Sequence, residues 1–457
     1  MGNLMASLLN SANAMSVFEQ ALTVTENNVV NANTPGYAKQ TMTFEAQPFD
    51  ITVGLAGGVK TGPVQTSRDA FAEQSVRNQQ TSVNFYQQKI SDLTPVESYF
   101  PTSSTSGIAP DMSQFFNDFS SLSVNPNDTV ARQTVLGDAK TVAQDFNYAA
   151  NGILNQQTAL DQQTTSTVAS INQLANTIAS INADNRVDPT GTINAGVDAQ
   201  LNSTLEQLSQ LVNFTALQQP DGTVTIYVGG QTPLVVGDQT FALQTDFSNS
   251  QTAVLNANGT DITSQITGGQ LGGLIDDNNN VLPSYLANLN TLAQSFADQV
   301  NTTLDGGIDQ NGAAPATDLY TYNAAQGAAL TLATNALTPD QIAAALPGAP
   351  GGNGNALNMA NLANAQTVNG YTFAQFYGNI GGQVGNDIST ATSSQATQES
   401  LLNQAQAMRQ QISGVDLDEE AQNLMEYQRS YEAISKMIST VDQITDTLMN
   451  MVGVVTT

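Results

Sequence analysis

Both ends of this 457-residue chain carry a narrow apolar stripe at helical spacing, and neither has a partner stripe nearby in sequence. Toward the N-terminus Leu4, Leu8, Ser11, Met15, Phe18, Leu22, Thr25 and Val29 recur in alternating steps of four and three. Toward the C-terminus Leu417, Leu424, Tyr427, Tyr431, Ile434, Ile438, Val441, Thr445, Leu448 and Val452 form a stripe of the same kind. Such steps put the residues on one seam of a coiled coil instead of the broad face of an ordinary core helix. Fully helical, the two stripes span about 40 and about 50 Å. Core helices of a bundle also carry apolar stripes, but two narrow ones at opposite ends suit a chain whose ends meet as one coiled coil. The rest is then looped out between them, an arrangement made for assembly.

The first stripe runs into Asn31-Ala32-Asn33-Thr34-Pro35-Gly36-Tyr37. Pro35 disfavours the helical region for Thr34 and Gly36 supplies a turn, so the helix is expected to stop near Asn33. Residues 41–62 read as loops and short strands, and a helix follows from about Asp69 to Tyr99, ended by Pro101. After a Ser/Thr/Gly linker at 102–107, Phe115, Phe116, Phe119 and Leu122 mark a short amphipathic helix. A long helical block covers about Thr129 to Asn182, with Ile171, Leu174, Ile178 and Ile181 as its seam. From Asn213 the period changes: Asp221-Gly222 is a turn signal and Thr223 to Val228 alternates as a strand does. Leu234 to Val236, Phe241 to Leu243 and Ala253 to Leu255 read as further strands. Helix returns at Pro283 to Leu304 with Tyr285, Leu289, Leu292 and Phe296 on one face. Residues 305–357, rich in Gly, Ala and Pro, read as loop with a short helix near Pro339 to Ala345, and helices resume from about Tyr371.

The stretch from Asn27 to Tyr37, with Asn31, Asn33, Thr34, Pro35, Gly36 and Tyr37 as its signature, resembles the N-terminal motif of the axial proteins of the bacterial flagellum. Asn423 to Ala433 is similar to the matching C-terminal motif. Within that group, Ser413 to Glu420, Gly268 to Asp276 continuing to Val281–Tyr285, and Pro126 to Arg132 resemble segments of the hook-associated protein 1 family. The likeness spans nearly the whole chain and thins at 183–205 and 306–354.

Composition narrows function independently. Charged residues make up only 11% of the chain, and 11 Lys+Arg against 39 Asp+Glu leave a net charge of −28. That surface repels nucleic acid phosphates and anionic lipid, so neither is an expected partner. With no Cys and no His, disulfides, thiolate or imidazole metal sites, and catalysis by either residue are excluded. Residues 1–30 lack the basic and apolar regions of a secretory signal, and no apolar run is long enough to span a membrane. Asp305, Asp309 and Asn311 before Gly312 have the wrong spacing for a calcium loop and read as an Asx–Gly turn. Asp276-Asp277 reads as a similar acidic loop, Asp418-Glu419-Glu420 as dipole-facing acids at a helix start, and Tyr427 and Tyr431 as packing residues. No cofactor, metal or catalytic residue is expected.

The resemblance implies a mainly α fold with an inserted β-rich domain. Residues 1–40 and 413–457 would form the paired terminal coiled coil, and 41–212, 269–305 and 355–412 a discontinuous helical middle domain. Residues 213–268 would be an outer β-rich domain, removable without unfolding its host, and 306–354 a loop-rich insertion. The implied function is a structural adaptor joining flagellar hook to filament, exported through the type III channel and working outside the cell. Implied partners are hook protein, hook-associated protein 3, copies of itself in a ring, and an export chaperone. Leu4, Leu8, Met15, Phe18, Leu22, Val29, Leu417, Leu424, Tyr427, Tyr431, Ile434, Ile438, Val441, Leu448 and Val452 would form the assembly interface. The alternatives are another axial protein such as the hook protein, or an extracellular enzyme or adhesin carried on axial-protein ends.

Overall fold

A computed structural model describes residues 2–50, 55–101, 105, 107–187, 194–249 and 251–453. The linker at 102–107 falls largely outside the described residues, and so does the side chain of Val452. The helices are α1 (Gly2–Asn31), α2 (Ala70–Glu97), α3 (Ile108–Val124), α4 (Thr129–Val187), α5 (Ala195–Leu211), α6 (Gly269–Asp276), α7 (Leu282–Asp305), α8 (Ala328–Thr331), α9 (Gly354–Asn361), α10 (Phe373–Ser413) and α11 (Leu417–Gly453). The strands are β1 (Gln40–Ala46), β2 (Phe49–Asp50), β3 (Leu55–Ala56), β4 (Val59–Thr66), β5 (Phe214–Gln218), β6 (Val224–Val228), β7 (Thr232–Val236), β8 (Gln239–Thr240), β9 (Gln244–Asp246), β10 (Ala253–Leu255), β11 (Tyr320–Thr321) and β12 (Ala333–Thr334). The fold is mainly α with β-rich inserts and long terminal helices, as expected. No described helix is long and apolar enough to cross a membrane.

Local chemistry explains the helix starts. Asp128 Oδ1 accepts from Val130 N at 2.8 Å to open α4, and Asn194 Oδ1 accepts from Gly196 N at 3.0 Å to open α5. Thr372 and Gln375 exchange reciprocal capping bonds before α10. Asp416 Oδ1 accepts from Asp418 N at 2.9 Å, so the cap of α11 is Asp416 and not the acids that follow it.

The chain forms two compact units. The first comprises Met1–Thr81, Ile171–Ala242 and Gln398–Thr457; the second comprises Ser82–Ser170 and Leu243–Thr397. In the first unit β1 and β4 pair as a long antiparallel hairpin, bulged between Met42 and Phe44, where the sequence suggested only loops and short strands. β5–β6–β7–β8 form an antiparallel meander with Ile226, Val228, Leu234 and Val235 fully buried. Asn182 of α4, itself fully buried, donates to Val224 O at 2.8 Å and Gly237 O at 2.7 Å and accepts from Val224 N. Phe241 to Leu243, expected as a strand, is an irregular link between β8 and β9.

The 213–268 stretch is therefore divided, with residues through Ala242 in the first unit and the rest, including the β9–β10 pair, in the second. Removal of Gln219 to Gly268 would orphan the buried Asn182 amide and strip apolar cover from the first unit. In the second it would remove Thr252, whose hydroxyl donates to Asp161 at 2.8 Å. A deletion joined by a Gly/Ser linker is accordingly expected to misfold, read as lost cooperative melting of the purified protein; an unchanged melting curve would restore the dispensable-insert view.

The second unit packs around Phe296 of α7. Its ring lies 5.7 Å from Phe115 and 5.8 Å from Phe116 of α3, 6.3 Å from Phe146 of α4, 5.3 Å from Tyr320 and 5.4 Å from Phe373. Residues 306–354, read as a loop-rich insertion, are irregular in path yet deeply packed. Leu319, Tyr320, Ala329, Leu332, Ile342, Ala343 and Ala344 are all buried in this core. The helix expected near Pro339 to Ala345 is a single 3₁₀ turn at Pro339–Gln341. Arg132 holds the segment by donating to Pro126 O at 2.7 Å, Pro339 O at 3.0 Å and Ile342 O at 2.7 Å. Asp309 Oδ1 accepts from Asn311 N and Ala313 N, which is the Asx turn the sequence indicated.

Candidate assembly interface

The terminal helices α1 and α11 pair in the first unit, and three contacts fix their direction. Ser11 Oγ donates to Met437 Sδ at 3.5 Å, the Phe18 and Tyr427 rings lie 6.2 Å apart, and Asn28 Nδ2 donates to Glu420 Oε2 at 3.2 Å. As the number rises on α1 it falls on α11, so the pair is antiparallel. Phe44 of β1 completes an aromatic trio, 5.7 Å from Phe18 and 5.9 Å from Tyr427.

At the far end of α1 a buried polar knot ties helix, turn, hairpin and α11 together. Asn28 is 1% exposed and uses its whole amide. It donates to Gln40 O at 2.9 Å and to Glu420, and accepts from Gln40 N and Tyr37 Oη, both at 2.9 Å. Lys39 Nζ lies 2.7 Å from Glu419 Oε2 and 3.3 Å from Glu420 Oε1. Burial pulls the Lys39 ammonium down, but hydrogen bonds to Glu419 and Glu420 outweigh it and hold the group above the usual lysine range. Burial, with the Glu420 charge behind it, pushes the Tyr37 hydroxyl up to about 12. It therefore stays a donor at every physiological pH.

The turn from Asn31 to Tyr37 is shaped by backbone bonds from Thr34 N to Asn31 O and Tyr37 N to Thr34 O. Gly36 sits at φ +76°, and a Cβ there would meet Ala199 O of α5 at 2.2 Å, so only glycine allows this approach. Arg68 caps the turn, donating to Gly36 O at 2.5 Å while pairing with Asp198 Oδ2 at 2.8 Å and Glu73 Oε1 at 2.6 Å. Beside it Asn31, Thr34, Pro35 and Tyr37 line an uncharged cleft of about 540 Å³ with residues of α4 and α5.

This geometry ties the helix pair, the turn and the hairpin together. Among the described residues no cluster of three or more His, Cys, Asp or Glu side chains could hold a metal ion. Comparison with known proteins agrees with that architecture. Residues 93–320 match the flagellar hook-associated protein FlgK helical domain, and residues 406–451 match the flagellar basal body rod FlgEFG protein C-terminal family. Flagellar hook-associated protein 1 of Bacillus subtilis (strain 168) is 28% identical, over 96% of this chain and 97% of its own. The same protein of Escherichia coli (strain K12) is also 28% identical, over 98% of this chain and 100% of its own. The chain belongs to the flagellar hook-associated protein 1 family. A solved structure, the flagellar hook junction protein FlgK from Burkholderia pseudomallei, shares the fold at a TM-score of 0.66 and 17% identity, over 74% of this chain and 99% of that one.

In this family member the described seam residues fall into two groups. Leu4, Leu8, Met15, Phe18 and Leu22 of α1, and Leu424, Tyr427, Tyr431, Ile434, Ile438 and Val441 of α11, are half-buried. Val29 is 40% exposed, Leu417 52% and Leu448 40%, so they lie off the contact between the two helices. Of the signature, Asn33, Thr34 and Pro35 are exposed, while Asn31, Gly36 and Tyr37 are half-buried. Sequence reasoning missed Asn28, Lys39 and Glu420, the polar centre of the site. Glu420 read as a helix-start acid, and only its fourth position into α11, facing the pair, sets it apart from Asp418 and Glu419. Along the two helices Met5, Leu9, Met425, Met437, Ile444, Leu448, Met449 and Met451 are exposed.

Proposed function

We propose that this chain is a structural adaptor of the extracellular flagellum, joining hook to filament as a ring of copies that associate through their terminal helices. The observation that carries the reading is the antiparallel α1–α11 pair, whose seam residues are only half-buried and along which methionine, leucine and isoleucine side chains stay exposed. A polar knot fixes the register of that pair, so each copy presents the same surface to its neighbours. Near full-length similarity to flagellar hook-associated protein 1 supplies the location. The partners that fit are hook protein on one side, hook-associated protein 3 on the other, further copies laterally, and an export chaperone that covers the apolar face of α11 before export. The reading is of a non-enzyme, without cofactor, nucleic acid partner or membrane insertion. The seam residues named above are its assembly surface.

Ile434→Asp tests it. Ile434 is half-buried in the pair. An unpaired charge there costs about 3–5 kcal/mol once the interface closes. The expected outcome is loss of junction incorporation and of motility in cells lacking the native protein, with the melting temperature of the 41–412 body unchanged. A large fall in the stability of that body would make Ile434 ordinary core, and normal incorporation would place the interface elsewhere.

A further inference from the structure

The second compact unit contains three facing aspartate pairs. Asp92 of α2, 2% exposed, faces the fully buried Asp277 in the π turn between α6 and α7. Along the α3–α4 seam, Asp118 meets Asp138 and Asp111 meets Asp145, the members seven residues apart on each helix as an antiparallel pair requires. The Oδ2 atoms of Asp92, Asp277, Asp118, Asp138 and Asp145 are shut off from solvent, and no N–H or hydroxyl donates to any of them. Two carboxylates cannot hydrogen-bond to each other; a carboxyl and a carboxylate can. Each pair is therefore complete only with a proton between its members.

We propose that these three pairs are proton clamps, which hold the second unit together while protonated and loosen it as the medium turns alkaline. The surroundings say where each proton sits. Asp111 Oδ2 already accepts from Gly107 N at 3.0 Å and Asp118 Oδ1 from Gln114 Nε2 at 2.8 Å, so the proton rests on Asp145 and Asp138. Asp277 is held by Lys89 Nζ at 2.9 Å, leaving the proton to Asp92, whose Oδ1 accepts from Gln88 Nε2 at 2.6 Å. Lys89 also pairs with Asp276. The other titratable groups facing the clamps are tyrosines. Burial drives the hydroxyls of Tyr320, near Asp138, and Tyr377, near Asp145, upward, Tyr377 to about 12, so they stay neutral. Burial likewise raises Tyr285, near Asp277, which donates to Asp387 of α10 at 2.7 Å. Burial, then the partner carboxyl, pushes Asp138 and Asp145 up to about 7; burial, then the Asp277 charge, pushes Asp92 up to about 8.

A carboxyl raised in the folded state holds a proton that the unfolded chain has released. Its stabilisation is fully present below the ordinary aspartate range, falls as pH rises, and is gone above about 8. The chain makes the effect easy to isolate: it has no His and no Cys. Of ordinary groups only the α-amine, near 7.7, titrates between about pH 6 and 9.

Potentiometric titration of the full-length protein, folded and then in urea, reads the clamps directly. The folded protein is expected to release about three protons more than the unfolded chain between pH 6 and 9, and its melting temperature to fall by several degrees over that span. The double variant Asp138→Asn with Asp145→Asn, in which an amide takes the place of the protonated acid, should release about two fewer and lose most of that fall. Folded and unfolded curves that coincide would overturn the proposal, as would an unaltered melting slope in the variant. Should the variant not fold, the wild-type titration alone decides.

Discussion

Asn28→Ala is expected to free both terminal helices from the first unit while leaving the aromatic core of the second intact. The substitution removes four hydrogen bonds at a site 1% exposed. Gln40 N, Gln40 O and the Tyr37 hydroxyl lose their partner in a place that water reaches poorly, at about 1–3 kcal/mol each if none relaxes. Glu420 keeps only Lys39. Relaxation brings the loss to about 3 kcal/mol, a large share of what holds these helices, because the other buried residues of α1 are small: Ser11, Val17, Ala21 and Thr25. Hydrogen exchange on the full-length protein should show fast exchange across residues 16–31 and 417–431, with 282–305 still protected. Glu420→Gln, which still accepts from Asn28 and gives up the Lys39 ion pair, should have a much smaller effect. Unchanged protection in Asn28→Ala would mean that the apolar contacts alone set the register.

The terminal seams were legible because a periodic pattern needs only local sequence, whereas their rotation was not. A strict alternation of four and three averages 3.5 residues per turn, and a straight helix at 3.6 drifts away from it. By the end of α1 the buried position has moved from Val29 to Asn28. The polar residue sits inside and the apolar one faces out, which no hydropathy reading would select. Acidic partners were hidden for a different reason. Asp111, Asp118, Asp138 and Asp145 each look like ordinary solvated acids, and their pairing follows only from the antiparallel register of α3 and α4. Residues 306–354 show a third limit. Gly, Ala and Pro suggested a loop, whereas the segment holds the short elements β11, α8 and β12, and its burial depends on scattered side chains such as Leu319, Leu332 and Ile342, which have no period to detect. Asp276 and Asp277 read as a loop because Asn278 to Asn280 follow them. In the fold those asparagines continue the helix through a π turn, and Asn278 donates to Asp161 at 2.6 Å.

Phe296→Ala is expected to cost the second unit about 3–5 kcal/mol, the range for emptying a buried phenylalanine site. The upper part of that range applies here, because five rings from α3, α4, β11 and α10 converge on this one side chain and each favourable ring pair adds about 0.5–1.5 kcal/mol beyond burial. Collapse into the void is opposed from several directions. Tyr320 is pinned by its hydroxyl to Ala139 O at 3.0 Å and by its backbone N–H to Asn301 Oδ1 at 2.9 Å, while Phe116 and Phe373 are stacked at 5.9 Å. Phe296→Leu keeps most of the volume and should recover well over half of the loss. Phe49→Ala, at a site 68% exposed, should change little and serves as the control. Urea denaturation followed by far-ultraviolet circular dichroism measures all three. A cost below about 1 kcal/mol for Phe296→Ala would show that α7 is not the hub of the unit, and that the irregular 306–354 segment is held by the Arg132 carbonyl contacts instead of by aromatic packing.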